Sequence, residues 1–594
     1  MQQITWTARL AVAAATLVLA CTGAARGAEE PAAQPESDQQ AGGPLRPEQA
    51  AFDVRFYRLA LAIDPSERSI DGTLTVRASI VASTDVLSLD LDHRLTVKAA
   101  RSIDARRSRA LRFKQHDGQL DIRLPRTYRA GELVEVEIQY GGHPRVAPRP
   151  PWVGGFTWSK TATGEPWIGV TCQLDGADLW WPVKDHPSDE PDDGMELHFT
   201  VPAGLTVVSN GRAAGTTQNA NGTVTYHWVV DSPINAYDVT FNAAPFRALS
   251  RDYTSVTGRT FPVTYWVLPE DYKDGEALFP ELLAHFAWLE KTLGPYPFQM
   301  EKYAIVETPY IAMEHQTNIS YGRGFGETHM GFHYIPLHET GHEWWGNLVS
   351  ASDWRDVWLQ EAFTSYMEAL YAEHLYGEAG YREYLYRYFR PRVTDRQVVA
   401  PEEAMNLRQA FQRSSLAKGA LVLDTLRYLV GDARFFELLR RQAYPDATKT
   451  TLDRCPQCRT TTSADFVALA TAVTGKKLDW FFDLYLRRPE LPELEFVDLG
   501  SQVRVGWRVP TGMHFPMPIE ISRNGIRERI EVDDGPVLID KRPGDQITAD
   551  PDFRVLRTVA PAIDRFGSRG ANDPKVERSR GGSSPAAVPP TPPR

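Results

Sequence analysis

The sequence lacks an excess of positive charge, a second CxxC pair, an internal repeat at a solenoid period, and any long apolar run after its first 28 residues. A net charge of -11 excludes the basic face that a nucleic-acid binder needs to neutralise phosphates. No apolar run beyond residue 28 reaches the about 20 residues a membrane-spanning helix requires, so no transmembrane helix is expected. Only four cysteines occur: Cys21, Cys172, Cys455 and Cys458. With one CxxC and no partner pair, a zinc ribbon is excluded, and nothing nearby has the pattern of a thioredoxin-like unit. A local disulfide between Cys455 and Cys458 is the expectation, leaving Cys172 unpaired. At 594 residues the chain exceeds one hydrophobic core, and length alone predicts roughly three to five domains.

The ends differ from the rest. Arg9 precedes an apolar run over 10–20, and no further charge appears until Arg26. A basic start, a short apolar stretch and small residues describe a secretory signal peptide over 1–28 and an exported protein, periplasmic or extracellular. VLAC at 18–21 also has the form of a lipoprotein cleavage box, which would make Cys21 a lipid anchor. The alternative is a plain signal peptide with an incidental cysteine. Residues 29–50, rich in Ala, Gln, Gly and Pro, are expected to be a linker. A Gly-, Ser- and Pro-rich tail over 563–594 is expected to be disordered.

Between these ends the periodicity changes twice. Over 51–250 the chain alternates as half-buried strands do, for example VRFYRL at 54–59 and GTLTVR at 72–77. Asp71-Gly72, Asn210-Gly211 and Asn221-Gly222 have turn chemistry. Over 251–490 helical spacing takes over, at 276–293, 337–349, 355–376 and 418–430. Short alternating strands return over 491–562 and suggest a small β-sandwich. The fold class expected is therefore multidomain α+β: an N-terminal β domain, a mostly helical middle and a C-terminal β-sandwich.

His338-Glu339-Thr340-Gly341-His342 fits HExxH. Residues four apart share one helix face, so both imidazoles can reach one metal ion. Glu339 stands on the adjoining face, placed to take a proton from a water whose pKa the metal lowers. Glu361, nineteen residues after His342 on the next predicted helix, supplies a third ligand. Three protein ligands leave a fourth position open, the mark of a catalytic rather than a structural site for one Zn²⁺.

HETGHEWWGN followed by WLQEAF resembles the gluzincin family that includes aminopeptidase N and leukotriene A4 hydrolase. AMEHQ at 312–316 is similar to that family's GAMEN segment in the MEHQ form of bacterial exported members. WWP at 180–182 with Asp185, and VVSNG at 207–211, are similar to stretches of the family's N-terminal domain. The resemblance covers roughly residues 52–490. It implies a saddle-shaped β domain, a thermolysin-like catalytic domain and a β-sandwich. It implies aminopeptidase action on peptide substrates with a free N-terminus. Glu314 and Gln173 would bind the α-amine, Glu314 by a charge-assisted hydrogen bond, and the backbone of Ala312 and Met313 would hold the peptide. The sequence says nothing of oligomeric state.

The pattern breaks in three places. The family's oxyanion-stabilising tyrosine, in a Tyr-x-Lys-Gly segment, falls on Leu416 of LAKG at 416–419. Loss of one such donor costs about 2.7–4 kcal/mol. Ile311 replaces the first Gly of the amine-binding segment, where its bulk would narrow the channel, and His315 replaces its Asn. Either His315, Tyr310 or Tyr334 supplies the donor instead, or the protein is a catalytically weakened, zinc-retaining peptide-binding or scaffold protein. A thermolysin-type endopeptidase fits HExxH but not the amine-binding segment.

Overall fold

The computed structural model describes residues 42–558, apart from 104–107, 323–327, 405, 447–448, 450–451 and 534. The signal peptide, Cys21, residues 29–41 and the tail lie outside the described residues. The rest of the expected linker does not behave as one. Pro47–Ala50 form a helical turn, and Arg46 Nη2 and Gln49 Nε2 donate to the Asp90 carboxylate at 2.7 and 2.6 Å. A buried carboxylate needs such donors, and that need fixes the segment. Among the described residues no helix is long and apolar enough to cross a membrane.

The N-terminal region is β throughout. Strand Phe52–Asp64 pairs antiparallel with Ser69–Ile80 and parallel with Met195–Pro202, Leu59 lying opposite both Leu74 and Leu197. Alternation puts Leu59, Leu61 and Ile63 on one face, where they are buried with Leu74 and Val76. This eight-stranded sheet shares a core with the four-stranded sheet that carries Pro166–Thr171. Asn210-Gly211 and Asn221-Gly222 are turns, with Gly211 and Gly222 at φ 73° and 80°. Asp71-Gly72 is not. It sits inside strand Ser69–Ile80, where a Cβ on Gly72 would stand 2.4 Å from Tyr140 Cε1. Glycine is required there by a close ring, not by a bend.

The middle region opens with a five-stranded sheet that begins at Arg247 and ends in the edge strand Ala312–Met313, antiparallel to Asn318–Gly322. Helix α1 (Tyr272–Leu293) covers it with Phe279, Leu282, Phe286 and Leu289 buried. The site is carried by three more helices: α2 (Tyr334–Gly341), α3 (Trp358–Tyr384) and α4 (Leu416–Val430). Helix α2 is shorter than the spacing over 337–349 predicts. After Gly341 the coil widens: Asn347, Leu348 and Val349 donate to the carbonyls of His342, Glu343 and Trp344, five residues back, at 3.0, 3.1 and 3.2 Å. His342 itself keeps helical angles (φ -64°, ψ -20°), so it stays on the His338 face. Helix α3 starts at Trp358 rather than near Arg355, because Asp353 caps a separate 3-10 turn, Trp354–Asp356, first.

Past residue 490, two three-stranded sheets enclose Val503, Val505, Ile519, Ile521 and Ile539, a small sandwich as expected. Cys455 and Cys458 are joined in a disulfide. Cys172 is a buried free thiol, and burial pushes its pKa well up.

Candidate active site

Helix α2 is tied to the sheet beneath it by Tyr303, whose hydroxyl lies 2.7 Å from Thr340 Oγ1. That contact turns His338 and Glu339 toward a cleft lined also by Glu314, Gln173, Glu361 and Glu368. Each imidazole has a fixed outer partner. His338 Nδ1 lies 2.7 Å from Glu368 Oε1, and His342 Nδ1 lies 2.8 Å from the Trp345 carbonyl. With Nδ1 carrying the proton in both rings, both Nε2 lone pairs face inward. They stand 3.2 Å apart, and Glu361 Oε2 is 3.5 Å from His338 Nε2. One donor atom from each of His338, His342 and Glu361 lies within 4.8 Å of the others.

Three lone pairs converging on one point repel each other unless a cation lies between them, so the residues fit a divalent ion. Two imidazoles, one carboxylate and an open side toward the cleft make the donor set of a catalytic zinc. The electrostatics agree. Burial pushes Glu339 up to about 8; His338 opposes that, while Glu361 and Glu368 add to it. Glu314 is raised well above the usual carboxylate range by burial, then by Glu361 and Glu339. Burial pulls His342 down to about 4. A dication among these carboxylates reverses the repulsion that raises them.

The amine-binding residues expected from the sequence are brought together. Gln173 Nε2 donates to Glu314 Oε1 and Oε2 at 2.9 and 3.0 Å. Ala312 and Met313 line the cleft from the edge strand, and Asn347 Nδ2 anchors the following Glu314 carbonyl at 3.1 Å. Glu314, Glu339 and His342 also offer donor atoms within 4.8 Å of one another, so the carboxylate reaches the metal position.

Sequence reasoning missed four residues. Tyr237 Oη donates to Glu314 Oε1 at 3.2 Å and accepts from Gln360 Nε2 at 2.9 Å. Glu368 orients His338 and in turn accepts from the Tyr384 hydroxyl. Glu368 was findable: it lies seven residues after Glu361, two turns along one helix face. For Tyr237, Gln360 and Tyr384 no sequence signal exists.

The three substitute donors separate. His315 is fully buried against Ser320, with Nδ1 3.1 Å from Ser320 Oγ. The Tyr310 hydroxyl lies 3.1 Å from the same Ser320 Oγ. Neither lines the cleft. Tyr334 does, one helical turn before His338, as do Leu416 and Ile311.

A helix-borne His-Glu-x-x-His with its third carboxylate on the next helix, set beside Glu314 and Gln173, is the side-chain arrangement of the gluzincin class. The Peptidase M1 N-terminal domain matches residues 54–237 and the Peptidase family M1 domain matches residues 327–485. The chain belongs to the M1 peptidase family. It is 23% identical over 352 residues to endoplasmic reticulum aminopeptidase 1 of Mus musculus, covering 54% of this chain and 36% of that protein. With leucine aminopeptidase 2 of Vanderwaltozyma polyspora it shares 26% over 228 residues, 36% of this chain and 31% of the relative. The chain thus spans about a third of the length of these curated relatives. The M1 zinc metallopeptidase of Deinococcus radiodurans has the same fold at 23% identity and TM-score 0.59, over 73% of this chain and 93% of that one. A variant of it bound to a Tyr-Ser-Ala substrate aligns with TM-score 0.61 at the same identity, over 75% and 97%.

Proposed function

We propose that this chain is a zinc aminopeptidase that removes N-terminal residues from peptides. One observation carries the reading. The Glu314 carboxylate, held by Gln173 and Tyr237, stands within reach of both Glu339 and the metal ligands. A cationic α-amine bound there puts only the first peptide bond over the metal position. A zinc ion held by His338, His342 and Glu361 would supply a Lewis acid for the scissile carbonyl and for the attacking water. Glu339 takes the proton of that water and delivers it to the leaving amine. Burial raises the Glu339 pKa, which strengthens it as a base, and a bound dication would oppose that rise. Glu368 fixes the His338 ring through Nδ1. Tyr334, on helix α2, lines the same cleft as Leu416.

The test is hydrolysis of a panel of aminoacyl fluorogenic amides by the zinc-loaded protein, beside their N-acetylated forms. Chelator-sensitive cleavage of the free-amine substrates alone is the expected result. Equal cleavage of the acetylated forms would instead fit a thermolysin-type endopeptidase.

Leu416 favours a second reading, a weakened peptidase homologue that binds peptides at a retained zinc. Its mark is peptide binding without turnover, with turnover gained in Leu416→Tyr.

We also propose that the chain is exported, supported by the charge and apolar pattern of residues 1–28 and by the bonded pair Cys455–Cys458, which belongs to an oxidising compartment. The mass of the mature N-terminus after cell fractionation tests this. A chain starting at a diacylated Cys21 would make it a lipoprotein, and an uncleaved cytosolic chain would refute export.

A further inference from the structure

Asn210 and Gly211 follow the strand Thr206–Ser209 of the N-terminal β domain and are buried. Asn210 Nδ2 donates to the Asp238 carbonyl at 2.9 Å and to the Gln316 carbonyl at 2.7 Å. Its Oδ1 accepts from the Thr240 N–H at 2.7 Å. Carbonyls at one end and an N–H at the other leave the amide a single orientation. Asp238 follows Tyr237, and Gln316 lies two residues past Glu314. One side chain therefore ties the backbones of the two segments whose side chains, Tyr237 and Glu314, meet at 3.2 Å in the site.

The Gly211 N–H donates to Thr317 Oγ1 at 2.8 Å. Thr317 follows Gln316, is fully buried and has φ 59°. A β-branched residue in the left-handed region is strained and persists only where its surroundings hold it. Here hydrogen bonds hold it from several segments. Lys302 Nζ donates to the Thr317 carbonyl at 2.8 Å, to Thr317 Oγ1 at 3.3 Å and to the Ser209 carbonyl at 2.7 Å. The Thr317 N–H donates to Glu343 Oε1 at 2.8 Å, and Glu343 follows the ligand His342. The tip of the β domain, the turn after Glu314 and the segment carrying His342 are thus joined at one strained residue.

We infer that Asn210 and Thr317 are positioning residues for the amine site. They set where Glu314 stands relative to Tyr237 and the metal ligands, so the N-terminal β domain contributes to recognition of the substrate's free amine. This rests on the aminopeptidase reading. Neither residue needs to touch the substrate. A charge-assisted hydrogen bond depends on where its acceptor is held, and an anchor made of Glu314, Gln173 and Tyr237 works only if all three stand within reach together.

The experiment compares leucine hydroxamate with its des-amino analogue, 4-methylpentanohydroxamate, by calorimetry on the zinc-loaded protein. Both probes bind zinc and they differ only in the α-amine, so the ratio of their affinities reads the amine site rather than the metal. The unaltered protein is expected to bind the amine form more tightly. Asn210→Asp replaces the two donors with an acceptor of the same shape. Thr317→Val keeps the branched shape and removes the acceptor of Gly211. Each is expected to cut the ratio by about tenfold while zinc content by atomic absorption stays unchanged. Thr317→Ser, which puts the hydroxyl back, is expected to restore the ratio. With leucyl-aminocoumarin, Asn210→Asp and Thr317→Val raise KM and leave kcat nearly unchanged. If Asn210→Asp does not fold, the Thr317 pair decides. An unchanged ratio in either folded variant overturns the proposal. So does equal weakening of both hydroxamates, which marks a general loss of structure, and so does failure of Thr317→Ser to rescue. If the unaltered protein shows no preference for the amine form, the aminopeptidase reading fails and the proposal with it; a preference that survives in the variants overturns the proposal alone.

Discussion

The two walls of the cleft are built differently. On the Glu314 wall the polar side chains have partners: Gln173 and Tyr237 on Glu314, Gln360 on Tyr237, Asn347 on the Glu314 carbonyl. On the α4 wall Leu416 stands where the family has a tyrosine, Ser414 has no hydrogen-bond partner and Arg392 no ion pair among the described residues. On the proposed function, the difference predicts that binding and turnover are separable here. The first wall is organised before substrate arrives, which is how a site binds with little reorganisation. The second wall has no such set of partners among the described residues.

Four experiments sharpen or break that contrast. The largest effect belongs to Glu339→Ala, expected to lower kcat by about 10²- to 10⁴-fold with metal content unchanged by atomic absorption. Residual activity within a few-fold of wild type would mean that another base works at this centre. Next is Leu416→Tyr. If the α4 wall is short of an oxyanion donor, the change raises kcat by up to about 10²- to 10³-fold and hardly moves KM. No gain, together with a loss in Tyr334→Phe, would place the donor on α2 instead. Glu368→Ala removes the acceptor that orients His338 and is expected to weaken zinc binding by about 10- to 100-fold, read by competition with a chelating dye. The smallest effect is that of Tyr237→Phe, which deletes one hydrogen bond to a charged group. A rise in KM of about tenfold for free-amine substrates, with kcat preserved, is expected. A fall in kcat alone would remove Tyr237 from the amine pocket.

Much of this was legible in the sequence, for reasons of spacing. His338 and His342 lie four apart and Glu361 follows on the next helix, so local pattern is enough to group them; Ala312 to Glu314 were singled out by the resemblance to the gluzincin family. The N-terminal strands were legible because alternate burial leaves Leu59, Leu61 and Ile63 on one face. What escaped depends on distant chain meeting in space. Tyr237 reaches Glu314 across 77 residues and Gln360 across 123. The Asp71-Gly72 turn expectation failed because the glycine answers to Tyr140, on the neighbouring strand. Helix α2 ended early because the backbone widened to five-residue hydrogen bonds beyond Gly341, a change that apolar periodicity does not record. Arg46 and Gln49 turned a polar stretch into ordered chain by serving a buried aspartate.

Helix α3 carries both Glu361, a ligand, and Glu368, which orients the His338 ligand of helix α2. The ion would therefore add a second link between two helices that the His338–Glu368 hydrogen bond already joins. Removing it would leave Glu339 facing Glu361 and Glu368 without a compensating cation, so metal occupancy would also be a fold-stabilising equilibrium. At free zinc about 100 times the dissociation constant, that linkage is worth about 2.7 kcal/mol. The melting temperature of this chain should then rise with zinc concentration, and its thermal stability would report how full its active site is.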